Sequence, residues 1–217
     1  MDAAESPEKP PRRYRGISAA DRRAQRRESI LAAGLELFGT RGYQATSIRD
    51  VSAQAELNSR YFYESFATKE ELLERVYRRI VEEVSAAVIE ATAKETGSLE
   101  AQAHAGLAAS WHVLTEDRRK ARVIALEIVG VSERLERLRR DNRRVFATLL
   151  VRNALSFARE VELTLDPMLN ARALMGAQMD LLVDWYNDDL DESVDQIVDH
   201  LARLFTAVAA ASVAPPR

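Results

Sequence analysis

Apolar residues recur at helical spacing along almost the whole chain, and the breaks between runs predict a series of helices. A first helix is expected over about Ala19–Gly39, with Ser18 as N-cap. Its early turns carry Arg22, Arg23, Arg26 and Arg27, and its later turns carry an inward stripe of Ile30, Leu31, Gly34, Leu37 and Phe38. Arg41-Gly42-Tyr43 ends it, with Gly42 supplying the left-handed residue that helix ends favour. Two short helices follow in the stretch Thr46–Lys69. The first aligns Ile48, Val51, Ser52 and Ala55 on one face, after Thr46 or Ser47 as cap with Asp50 in capping-box position. The second is capped by Asn58 or Ser59 and turns Phe62 and Phe66 inward. A long helix over about Lys69–Glu95 shows Leu72, Leu73, Val76, Ile80, Val84 and Val88, and Thr96-Gly97-Ser98 breaks it. Further helices are expected over about Leu99–Leu114, Lys120–Val129, Ser132–Val161, a segment opened by Asp166-Pro167 and running to Tyr186, and Glu192–Ala211. In the charged half of the Ser132 helix, Glu133 with Arg137 and Glu136 with Arg140 have the spacing of favourable pairs.

Composition supports an all-α protein. The chain has 217 residues, 47% of them hydrophobic, with only 8 Gly and 6 Pro. The absence of cysteine removes disulfides, thiolate metal sites and a Cys nucleophile. No apolar run approaches the roughly 20 residues of a membrane helix, and no apolar core follows the basic N-terminus, so a cytoplasmic protein is expected. Charge is uneven. Met1–Lys69 holds 12 basic against 9 acidic residues, a net of +3 within a chain of net −3. Lys9–Arg27 alone has 8 basic residues and one acid. A basic N-terminal third on an acidic body suggests a polyanion-facing domain.

The chemistry of Thr46–Lys69 fits a DNA major groove. Arg49, Asn58, Ser59, Arg60 and Tyr61 are the side chains expected to read base edges, since Arg matches the acceptors of guanine, Asn those of adenine, and a Tyr ring packs on a thymine methyl. Tyr43, Thr46, Ser47 and Lys69 lie at or beside helix ends, where hydroxyls, amides and an ammonium hold phosphates.

The run RRESILAAGLELFGTRGYQATSIRDVSAQAELNSRYFYESFATKEELL resembles the DNA-binding domain of the TetR (tetracycline repressor) family of bacterial transcriptional regulators. The likeness is carried by the helix ending Leu35-Glu36-Leu37-Phe38, the Gly42-Tyr43 turn, the helix start Thr46-Ser47-Ile48-Arg49-Asp50, and Tyr63, Phe66 and Lys69. It implies that Tyr63 contacts phosphate. Two positions depart from the family pattern. The turn reads Ala55-Glu56-Leu57 where Ala-Gly-Val is common, which costs on the order of 1 kcal/mol if Glu56 is left-handed. Arg60 and Tyr61 replace small residues, so no known operator transfers.

The resemblance implies residues 18–68 as a helix-turn-helix DNA-binding domain and 69–217 as a helical effector-binding and dimerisation domain, after a disordered basic arm over 1–17. It further implies a ligand-responsive regulator, expected to be a repressor, which binds a palindromic double-stranded DNA operator as a homodimer and answers an unknown small-molecule effector. His104, Trp111, His112, Phe146, Met175 and Met179 are candidate pocket residues. Leu174, Leu181, Trp185, Ile197, Leu201, Leu204 and Phe205 are candidate dimer-interface residues on the last two helices. No cofactor or metal is expected, and no catalytic residue: histidines stand only at 104, 112 and 200, and no phosphate-binding glycine loop or nucleophile elbow occurs. A helical ligand-binding or structural protein without operator binding is the alternative, disfavoured by the presence of Arg49, Tyr63 and Lys69.

Overall fold

Capping residues set the helix boundaries. In a computed structural model, which describes residues 18–157 and 165–212, Ser18 accepts from the Asp21 amide and Asp21 returns the bond, and α1 runs Ala19–Thr40. The same reciprocal box joins Ser47 to Asp50 at the start of α2, Ile48–Gln54. Asn58 caps α3, Ser59–Tyr63, and Thr68 caps α4, Lys69–Lys94. Ser98 caps α5, Leu99–Thr115, and Asp117 caps α6, Arg118–Arg122. Helix α7 spans Glu133–Phe157, α8 Pro167–Tyr186 and α9 Val194–Ala211, the last two capped by Asp166 and Ser193. The described residues are helical with no strand. The expected arm over 1–17 and the expected extension of α7 beyond Phe157 lie outside them.

Three sequence expectations are revised. The single helix over Lys120–Val129 is α6 followed by a π-helical turn, Val123–Glu127. The wider turn buries Val123, Ile124 and Ala125 together while turning Glu127 back toward α1. Glu136 does not pair with Arg140; it accepts from the Gly130 amide at 2.8 Å and meets Arg139 at 3.8 Å. The last helix starts two residues later than expected, because Ser193 and Gln196 form its capping box.

The two helix ends flanking α2 have left-handed backbone, as do Gly130 and Asp188 further on. Gly42 adopts φ 95° and its amide reaches the Leu37 carbonyl at 3.1 Å. Glu56 adopts φ 55°, donates to the Ala53 carbonyl at 3.0 Å, and is followed by Leu57 donating to Ser52 at 2.9 Å. These two bonds make a Schellman ending of α2, with glutamate where glycine is cheapest. Relief of that strain outweighs the extra chain entropy, so Glu56→Gly should raise unfolding stability by up to about 1 kcal/mol in a denaturant titration.

One continuous core runs from Ile30, Phe38, Val51, Phe62 and Phe66 in α1–α3, through Leu72, Val76 and Ile80 of α4, to Trp111, Ile128, Leu182 and Leu201 in the body. Helix α4 is therefore built into both halves. At 26 residues it is about 39 Å long, enough to carry a displacement from the body to its N-terminal end. Helices α4 and α5 pack together, α9 packs on α5, and α7 on α8.

Candidate nucleic-acid interface and effector cavity

The helix-turn-helix is assembled on Phe62, fully buried against α1 and α2, with Phe66 beneath it. Burying Phe62 turns its neighbours outward. Arg60 is exposed, restrained only by Glu64 at 3.2 Å, a pair worth a few tenths of a kcal/mol and readily exchanged for a base edge. Arg49 is exposed on α2. Asn58 is exposed, but its side-chain oxygen accepts from the Arg60 amide at 2.9 Å, so a paired contact with adenine competes with capping α3. Ser59 is half-buried, and so is Tyr61, whose ring lies 4.4 Å beneath the Arg26 guanidinium. Tyr61 thus packs on α1 and offers one edge rather than a free ring.

Among the expected phosphate contacts, the geometry separates two groups. Tyr63 is 61% exposed and braced edge-on by Phe62. Ser47 is exposed, and its hydroxyl donates to Asp50 at 2.5 Å, which holds the Asp50 carboxyl below its ordinary range. Thr46, Tyr43 and Lys69 are engaged within the chain. The Thr46 side chain is buried and its hydroxyl donates to the Gly42 carbonyl at 2.8 Å. Tyr43 is buried beside Phe38, and its amide donates to Glu127 Oε2 at 2.6 Å. Burial pushes its phenol pKa up. The Lys69 ammonium donates to the carbonyls of Tyr43 and Thr46 at 2.8 and 2.7 Å and sits 4.2 Å over the Tyr43 ring. Burial lowers its pKa. Lys69 is a clip that fixes the α1–α2 turn to the start of α4.

A second junction ties the head to the body. Glu127 receives Tyr43 and the Arg122 guanidinium, 2.7 Å from its other oxygen, while Arg122 also reaches the Thr40 carbonyl at 2.6 Å. Arg119 is held firmly charged by Asp117 at 2.8 Å and by Glu36 of α1 at 2.5 Å. Gly39 lies against Arg119 so closely that an added Cβ would fall 2.3 Å from its Cβ. Sequence reading missed this junction. One signal was present: Glu127 is the only charge in the apolar run Val123–Val131.

In the body, a cavity of about 480 Å³ opens between α4, α5, α7, α8 and α9. Its walls include Val88, Leu107, Phe146, Leu150, Leu174, Met175, Leu201 and Phe205. Of the six expected pocket residues, only Phe146 and Met175 line it. Trp111 is in the core, Met179 packs against that core, His104 is exposed and bonds Asp199 at 2.9 Å, and His112 is exposed beside Glu116. Among the described residues no cluster of three His, Cys, Asp or Glu could hold a metal ion. No described helix is long and apolar enough to cross a membrane.

The expected dimer residues also divide. Ile197, Leu201 and Phe205 are buried within the chain, the last two facing the cavity, because α9 packs its broad apolar face on α5. Leu174 lines the cavity, Leu181 packs against the core, and Trp185 packs there under the Arg118 guanidinium at 5.1 Å. Only Leu204 is left outward. The exposed apolar and small residues of α8 and α9 include Leu169 (64% exposed), Ala173, Gly176, Ala177, Leu204 and Ala207, beside the exposed charges of Arg172, Asp180, Asp199 and Arg203.

Residues 30–76 match the model described as bacterial regulatory proteins, tetR family. No curated protein matches the chain. A TetR-family transcriptional regulator from Syntrophomonas wolfei is similar at 19% identity and TM-score 0.72, over 86% of this chain and 96% of that one. FadR from Bacillus subtilis, solved in complex with stearoyl-CoA, is similar at 18% identity and TM-score 0.71, over 82% and 96%. A TetR/AcrR-family regulator from Thermobifida fusca reaches 27% identity and TM-score 0.63, over 83% and 96%.

Proposed function

We propose that this chain is a member of the tetR family of bacterial regulatory proteins and a homodimeric repressor that binds a palindromic DNA operator and is released by a small apolar effector. The observation that carries DNA binding is the helix-turn-helix over Ile48–Tyr63, seated on buried Phe62 with Arg49, Arg60 and Tyr63 directed to solvent. Arg60 reads a base edge and Arg49 assists it. Ser47 and Tyr63 contact phosphate, while Lys69, Thr46 and Tyr43 hold the turn that presents them.

Dimerisation is supported by the outward face of α8 and α9. Small residues such as Ala173, Gly176, Ala177 and Ala207 permit close helix approach, and Leu169 and Leu204 need cover from water. The effector site is the apolar cavity between α4 and α9, of the size small molecules occupy. The Bacillus subtilis relative, which carries stearoyl-CoA, supports a ligand-holding body. Effector binding moves α4, which lines the cavity through Val88 and starts at the Lys69 clip.

Arg60→Ala should cost about 1–3 kcal/mol of specific operator binding and relax preference at one base pair. A fluorescence-anisotropy titration against single-base operator variants measures both. Unchanged affinity and preference would remove Arg60 from the base-reading set.

A further inference from the structure

We infer that the effector is a single-chain amphiphile, its apolar chain buried among α5, α8 and α9 and its anionic headgroup held at the cavity rim by Arg152. This rests on the effector reading above and adds the polarity of the ligand and the direction in which it lies. The cavity has two unlike ends. Ala103, Ser110, Met175, Leu201 and Phe205 are buried, so the floor is closed and apolar apart from one hydroxyl. On the other side Ile89 and Ala93 of α4 and Leu149 and Arg152 of α7 line the cavity and are exposed, so the opening lies between these two helices. Among the described residues Arg152 is the only ionisable side chain in the lining, and it stands at that opening.

The surrounding charges leave Arg152 in command of the rim. Among the described residues no carboxylate lines the cavity and no ion pair engages Arg152. On facing α4, Glu90 and Lys94 satisfy each other at 2.6 Å. A ligand with a long apolar chain and one negative end therefore meets a largely apolar wall, broken by the neutral side chains of Thr92, Gln102, Asn153 and Gln178, and a cation where it reaches water. A guanidinium suits a carboxylate or a phosphate, so a free fatty acid and an acyl thioester carrying phosphates share the required chemistry. A cationic amphiphile would bring like charge to the same rim.

The test is calorimetric titration of the full chain with palmitic acid, palmitoyl-CoA, hexadecanol and hexadecylamine, repeated with Arg152→Gln and Arg152→Glu. At least one of the two anions should bind about fivefold tighter than the alcohol, the contribution of a rim charge pair, with the amine weakest. Arg152→Gln should level the series and Arg152→Glu should reverse it. Preference for the acid points to a carboxylate head, and preference for the thioester alone points to phosphate at Arg152. Equal binding of acid, thioester and alcohol, or an order unchanged by Arg152→Glu, overturns the headgroup assignment while leaving the cavity as effector site. Leu174→Trp, which fills the cavity from α8, should abolish binding of all four in a protein that still melts cooperatively. Retained binding by that variant, or no binding of any probe to the parent chain, overturns the cavity reading itself.

Discussion

Gly39→Ala should destabilise the protein by about 2–4 kcal/mol, the cost of overpacking a close contact that backbone must relieve. The new methyl would fall 2.3 Å from the Arg119 Cβ and 2.7 Å from its Cα, so a rotamer change cannot clear it. Either α1 or α6 has to move, and with it the pairing of Arg119 with Glu36. For a chain of this length each kcal/mol lowers the melting temperature by about 2–4 °C, so a drop of roughly 5–15 °C is expected by calorimetry. An unchanged melting temperature would mean that α1 and α6 do not meet at this distance. Because the contact joins head to body, the variant should also weaken operator binding at temperatures where it remains folded.

Lys69→Met should lower operator affinity about 10- to 100-fold without changing its salt dependence. The side chain contributes two charge-assisted bonds, to the Tyr43 and Thr46 carbonyls, each worth about 1.5–3 kcal/mol. Methionine keeps the apolar stem over the Tyr43 ring and removes both bonds. The turn before α2 then loosens, and Ser47 and Arg49 lose their fixed place. A lysine bound to phosphate would behave differently: its loss reduces the slope of log affinity against log salt by about one. Binding measured at several salt concentrations separates the two roles, and a slope reduced by one would return Lys69 to the phosphate contacts.

How far the sequence could be read is clear from particular residues. Ser18, Ser47, Asn58 and Asp166 announced helix starts because capping is local chemistry within four residues. Gly42 likewise marked a left-handed turn from its neighbours, while the left-handed Glu56 was legible only through the resemblance to a family that favours glycine there. The Glu127–Arg122–Tyr43 junction spans 84 residues and leaves no periodic trace. On α9, Ile197, Leu201, Leu204 and Phe205 belong to one broad apolar surface in the sequence, yet three are covered by their own chain and one is outward. Periodicity reports that a face is apolar and cannot say which surface covers it. The cavity lining differs from the expected pocket residues for a related reason. Trp111, His104 and His112 are chemically distinctive, whereas the largest part of the lining is ordinary Val, Ile, Leu and Ala, joined by Phe, Met and a few polar side chains from five helices.

Selection of bound sequences from randomised duplex DNA, with the mass of the protein on the selected site determined in solution, tests the central claim most directly. The account predicts an enriched palindrome, its half-sites one helical turn (about 10–10.5 bp) or somewhat more apart, occupied by two copies of the chain. Substituting Arg60 by alanine should relax the same position in each half-site. Recovery of no preferred sequence, or of a single unpaired half-site bound by one copy, would contradict it.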